Sequence, residues 1–179
     1  FQQVQKSELP LMLRLEADRM ANLNLTDEEF AKEIKVVMEE RRLRTDDKAR
    51  ALVYEQLLAT TYSAHPYRTP VIGWMNDLEN MTVEDARAWY ERWYTPNNAT
   101  LVVVGDVDHK EVFRLADKTY GRLPSRALPE RKIPVEPEQA GMRRVMLRAE
   151  AELPVIAMAY KVPVIRDVEN DVDPYALEM

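Results

Sequence analysis

The stretch Ala99-Thr-Leu-Val-Val-Val-Gly105 places four apolar residues in a row, Leu101 to Val104, and closes them with a glycine. Valine is stiff at χ1 and suits a pleated surface better than a helix. The run is too short for a helix and does not alternate with polar residues, so it predicts a strand buried on both faces. Its flanks read differently. Upstream, Thr82-Val-Glu-Asp85 is a capping signal before a helix carrying Ala86, Trp89, Tyr90 and Trp93, which Thr95-Pro-Asn-Asn98 stops. Downstream, Asp106 and Asp108 turn the chain into a helix from about His109 to Tyr120, with Val112, Phe113 and Ala116 facing inward.

Further towards the N-terminus the pattern is helical. Ser7 is placed to cap a helix running to about Asn22, with Leu9, Met12, Leu13, Ala17 and Met20 at apolar spacing. Thr26-Asp-Glu-Glu29 is a capping box that opens a second helix, ending near Arg44. Thr45-Asp46-Asp47 caps a third, reaching about Tyr62, with Ala51, Tyr54, Leu58 and Thr61 on one face. Residues 63–73 hold His65, Pro66, Pro70 and Gly73 and read as a loop, followed by one helical turn over Asn76 to Met81. Towards the C-terminus, Pro124, Pro129, Pro134 and Pro137 mark an extended connector. Two strand-like runs follow Gly141: an alternating one on Val145, Leu147 and Ala149, and Val155 to Val162. The acidic end offers a helix start at Asp173-Pro174. The order is helices, strand, helix, then paired strands, which is not a regular βαβ alternation. The expected fold is α+β, with helices packed on a mostly antiparallel sheet.

Composition narrows the function. At 179 residues, the chain holds one domain, or one domain and a piece of another. A net charge of −6, spread along the chain, argues against a nucleic-acid binder driven by phosphate contacts. No apolar run reaches the length of a membrane span. With no cysteine there is no disulfide, thiolate metal site or cysteine nucleophile, and cytoplasm and periplasm fit equally. Four glycines leave no phosphate-cradling loop, and no G-x-S-x-G elbow is present. The opening Phe1-Gln-Gln-Val-Gln-Lys has no initiating Met and no signal-peptide core, and reads as a start in mid-protein.

Glu33 and Glu40 carry the most chemistry. Seven residues apart, they sit almost two full turns along one helix, and both fall beside Val36 and Val37, with Phe30 close by. A carboxylate next to an apolar stripe needs a partner or partial exposure. A metal ion, a Lys or Arg, or solvent each meets that need, and spacing alone does not choose between them. Glu39, Arg41 and Arg42 read as a salt-bridged surface, the arginines complementing the helix dipole. His65, before a proline and with no second His nearby, reads as a turn or core residue, and His109 as an exposed helix start. Trp89, Trp93, Tyr90 and Tyr94 read as helix-face pairs.

Several segments occur together in order: Leu15-Glu-Ala-Asp-Arg-Met20, Phe30-x-x-Glu33-x-x-Val36-Val-x-Glu39-Glu40, His65-Pro66-Tyr67, Ile72-Gly73, Tyr94-x-Pro96-x-Asn98, Leu101-Val-Val-Val-Gly105-Asp106 and Tyr160-Lys-Val-Pro163. In that order and at about that spacing they resemble the pitrilysin/insulinase family of zinc peptidases, the inverzincins, whose repeat unit is shared with mitochondrial processing peptidase. The family signature is H-x-x-E-H, two zinc-binding histidines and a general base, completed by a distant glutamate. The resemblance implies that Glu40 is that distant zinc ligand and Glu33 a second carboxylate of the catalytic centre. H-x-x-E-H itself is absent, and only thirty-nine residues precede Glu40.

The expectations that follow are these. Residues 1–123 are the later part of a peptidase-family domain, 124–141 a Pro-rich connector, and 142–179 a strand pair and the start of the next element. The whole protein is a zinc-dependent metalloendopeptidase, and this chain is an inactive fragment of it. The alternative is a non-catalytic member acting as scaffold or peptide-binding partner; an unrelated helical binding domain is a third reading. The resemblance also implies a peptide or protein substrate, a second homologous domain or subunit, and a periplasmic or exported location in a bacterium.

Overall fold

The computed structural model describes residues 1–177; Glu178 and Met179, the end of the expected last segment, lie outside the described residues. Among the described residues there are seven α-helices: α1 Leu9–Asn22, α2 Asp27–Arg41, α3 Ala49–Thr61, α4 Met75–Asn80, α5 Val83–Trp93, α6 His109–Thr119 and α7 Asp173–Ala176. Short 3-10 turns and one π turn, Arg42–Asp46, connect them.

The expected α+β class, with its antiparallel sheet, is not what the structure shows. Among the described residues there is no strand. Residues 101–104 carry no regular structure, and Val102 and Val104 are 73% and 91% exposed, where burial on both faces was expected. The runs at 145–149 and 155–162 likewise pair with nothing, so the expected strand pair is absent too. The reason is that a strand is a pairing, not a local conformation. The chain divides into two compact units, Phe1–Met38 with Met75–Ile133, and Glu39–Trp74 with Pro134–Met179. Residues 101–104 belong to the first and both later runs to the second, and among the described residues none of the three runs forms a backbone ladder.

In the first unit the core is built from Leu13 and Ala17 of α1, Leu78 of α4 and Val83 of α5. α1 also packs on α6. Tyr90 of α5 closes the end of α1: its hydroxyl lies 2.7 Å from the Met20 carbonyl and accepts from the Leu23 N–H at 3.1 Å. Arg87, one helical turn earlier, donates to the Leu25 carbonyl at 2.6 Å and to Asp27 at 2.8 Å, pinning the start of α2. The Tyr94-x-Pro96-x-Asn98 stop also has a local account. Thr95, 1% exposed, donates to Asn97 at 2.7 Å, and Asn97 donates to the Arg126 carbonyl at 2.9 Å, fixing the beginning of the connector. Trp89 pairs with Trp93 and Tyr90 with Tyr94, as their i, i+4 spacing predicts. Phe113, expected inward, is 69% exposed and stacks edge-on with exposed His109.

The expected side-chain caps form at α5 and α6 and only in part elsewhere. Thr82 and Asp85 form the full capping box, and Asp108 accepts from the Glu111 N–H at 3.0 Å. At α2 the Thr26 hydroxyl accepts from the Glu29 N–H at 3.2 Å, but the Glu29 carboxylate takes the Thr26 hydroxyl instead of its N–H. Ser7 caps nothing, because the 3-10 turn Lys6–Glu8 precedes α1. Thr45 and Asp46 are consumed by the π turn, and α3 starts without a side-chain cap.

In the second unit, α3 is the centre. Arg41 reaches it with a two-pronged pair to Glu55, at 2.8 and 3.1 Å. The same guanidinium donates to the Gly73 carbonyl at 2.9 Å and lies 3.2 Å from Asp46. Gly73 has φ +84°, the left-handed region in which a side chain is strained, and that turn presents the carbonyl to Arg41. Arg143 caps the other end of α3, donating to the carbonyls of Thr60 at 3.0 Å and Thr61 at 3.1 Å. Tyr54 and Leu58 are exposed, while Val53, Leu57 and Thr60 line a groove with residues 142–147 and 155–160.

Candidate functional site

α2 carries both sequence-predicted carboxylates, and its sequence explains why. Asp27, Glu28 and Glu29 sit in the first turn and Arg41 in the last, the arrangement that the helix dipole favours. Glu33 is exposed and, among the described residues, forms no ion pair or hydrogen bond. Glu40 is 39% exposed and holds Arg44 of the π turn at 2.8 Å. Of the partners open to these carboxylates, solvent serves Glu33 and an arginine serves Glu40. Glu39 pairs with Arg42 at 3.0 Å on the surface, as read from sequence. Arg41 departs from that reading: it is 5% exposed and its partner Glu55 is 7% exposed.

A catalytic zinc takes three protein ligands and keeps one open position. Among the described residues no three His, Cys, Asp or Glu side chains come together to hold a metal ion. His65 lies in the turn after α3, where its Nδ1 accepts from the Tyr67 N–H at 3.2 Å, and His109 begins α6. The described residues therefore do not fit a zinc site by themselves; Glu40 offers one carboxylate, with no second ligand beside it among them.

The most strongly organised charged group is one that sequence reasoning missed. Glu136, in the connector between Pro134 and Pro137, accepts from three successive backbone N–H groups: Ser63 at 2.9 Å, Ala64 at 2.7 Å and His65 at 2.8 Å. Lys161 donates to the same carboxylate at 2.7 Å. Lys161 and then the three N–H groups hold the Glu136 carboxyl far below the usual carboxylate range. Around this point Tyr62, His65 and Tyr67 stack on one another, and the Lys161 ammonium lies 5.6 Å from the Tyr62 ring centre. No periodicity marks Glu136. The legible part was the Ser63-Ala-His-Pro66 turn, whose N–H groups follow a helix end and have no ladder to join.

Comparison with known proteins shows the family. The family profile described as "Peptidase M16 inactive domain" matches residues 80–179. The zinc protease PqqE of Helicobacter pylori is 37% identical over 171 residues, covering 93% of this chain and 38% of its own length. The crystal structure of a protease from Helicobacter pylori superposes with a TM-score of 0.69 and 39% identity, over 78% of this chain and 34% of that one. The first half of the periplasmic protease PqqL from Escherichia coli superposes with a TM-score of 0.63 and 27% identity, over 73% of this chain and 28% of that one. The chain thus spans well under half the length of these relatives. With the profile matching more than half of its residues, the chain belongs to the M16 peptidases, the pitrilysin/insulinase family that its ordered motifs resemble.

Proposed function

We propose that this chain is part of a zinc-dependent metalloendopeptidase that hydrolyses peptide bonds in peptides or unfolded proteins. The observation that carries this reading is the 37% identity to a protein named a zinc protease, extending over 93% of the chain. On this reading residues 1–123 are the later part of a peptidase-family domain, 124–141 the connector and 142–179 the start of the following element. Glu40 supplies one zinc ligand and Glu33 the second carboxylate of the centre. The remaining ligands come from outside these residues, so the chain alone is inactive. A peptide or protein substrate and a second homologous domain or subunit complete the picture. A periplasmic or exported bacterial location is supported by the similarity to PqqL, a periplasmic protease of Escherichia coli.

The experiment is a paired zinc and activity measurement. The whole protein is expected to bind zinc and cleave a quenched fluorescent peptide in a chelator-sensitive way. Glu40→Gln is expected to lose both zinc and turnover, and Glu33→Gln turnover with most zinc retained. This chain alone is expected to show neither. Chelator-sensitive turnover by this chain, or full zinc content in the Glu40→Gln protein, refutes the assignment. A second reading, a non-catalytic scaffold or peptide-binding partner, is favoured by the description "inactive domain" of the profile matching residues 80–179. Under it, the whole protein binds peptide with no zinc dependence.

A further inference from the structure

We propose that the turn Ser63–His65 and Lys161 form a carboxylate-binding site, which Glu136 of the connector occupies as a ligand in cis. Four donors converge on one carboxylate: Ser63 N–H and Lys161 Nζ on Oε1, at 2.9 and 2.7 Å, and Ala64 and His65 N–H on Oε2, at 2.7 and 2.8 Å. The occupant is remote in sequence, 71 to 73 residues from the turn and 25 from the lysine. The site is therefore a tertiary construction and not a side chain capping its own loop. Successive N–H groups pointing into one concavity are a general receptor for anions, including peptide carboxylates.

The chemistry selects for carboxylate over amide. An ionised carboxylate only accepts, and here both oxygens meet donors. An amide in the same place would turn its NH2 against an N–H or an ammonium. The walls are held independently of the ligand. Arg68 donates to the Ser63 carbonyl at 2.7 Å, His65 Nδ1 takes the Tyr67 N–H, and the Tyr62 ring faces the ammonium. Glu136 is 14% exposed and tethered between two prolines, so its high local concentration keeps the site filled. A carboxylate from another molecule enters only when Glu136 leaves, and its entry frees the connector. None of this rests on the zinc-peptidase reading.

The test is amide NMR on this chain, wild type and Glu136→Ala, titrated with sodium acetate against sodium chloride and acetamide. In Glu136→Ala the Ser63, Ala64 and His65 amide resonances are expected to shift saturably with acetate alone, and wild type to be unresponsive. Lys161→Ala added to Glu136→Ala is expected to weaken acetate binding about tenfold, the size of one charge-assisted hydrogen bond. Two peptides separate the sources: one with a free C-terminus and no acidic side chain, one amidated and containing a single glutamate. A natively folded Glu136→Ala protein blind to all carboxylates overturns the proposal. Should Glu136→Ala not fold, Glu136→Gln is read by hydrogen exchange. Those three amides are then expected to exchange roughly tenfold faster with the rest unchanged, and undisturbed protection overturns the proposal.

Discussion

Arg41 and Arg42 are neighbours of identical chemistry in opposite surroundings. Arg42 is 47% exposed and pairs with Glu39 in solvent, whereas Arg41 and Glu55 are both almost wholly buried. A surface pair contributes little, because water already solvates both charges and two long side chains must be ordered. Breaking a buried pair is costly because the surviving charge has no water to return to. Arg41→Met is expected to destabilise the chain by about 3 kcal/mol in urea unfolding, since it strands the Glu55 carboxylate. Arg44→Ala, which breaks the exposed pair to Glu40, is expected to cost less than about 0.5 kcal/mol. Sequence spacing read Arg41 as surface because nothing local separates it from Arg42. Its burial is decided by Glu55 of α3, 14 residues on, and by the Gly73 turn, 32 residues on. The converse holds for Glu33 and Glu40: ordered motifs singled them out, while their surroundings here are solvent and an arginine.

At the scale of elements, helices were legible where their ends carry their own chemistry. Thr82 and Asp85 satisfy each other within four residues, and no other part of the chain is needed. Thr82→Ala is expected to destabilise by about 1 kcal/mol, measured by thermal or urea unfolding, with α5 fraying first by amide exchange. α1 differs, because its Met20 carbonyl accepts from the Tyr90 hydroxyl, which in turn takes the Leu23 N–H from 67 residues away. Tyr90→Phe keeps the ring and is expected to cost about 1 kcal/mol through the orphaned groups at Met20 and Leu23. Nothing in residues 9–25 announces that partner. The strand expectations failed for a related reason. Val-rich composition states that a segment suits a sheet, but a ladder needs a second segment alongside, and pairing is settled by long-range placement.

For the whole molecule the Glu136 clasp gives a pH dependence with a definite sign. A carboxyl whose pKa is depressed by folding binds protons more readily when unfolded. Its stabilisation is present above its ordinary value of 4.5 and is lost as pH falls towards the folded value. The urea midpoint of wild type is therefore expected to decline below about pH 4.5, and more steeply than that of Glu136→Gln. Equal slopes would show that the clasp adds no stability. The exposed apolar runs make a second expectation: Val102, Val104, Ile156 and Met158 are all more than 70% exposed, enough for the isolated chain to bind a hydrophobic dye. Val104→Lys with Ile156→Lys is expected to lower that binding without loss of helix content by circular dichroism.

Family membership and most helices are legible in the residue order alone, since an ordered motif set and an end cap are both local. Four features came only from the tertiary structure: the absence of a sheet among the described residues, the burial of Arg41, the Tyr90 cap and the carboxylate clasp at Glu136. Each depends on which remote segment lies beside a polar group or an apolar run. Sequence spacing measures distance along the chain, and burial and hydrogen bonding depend on distance through space.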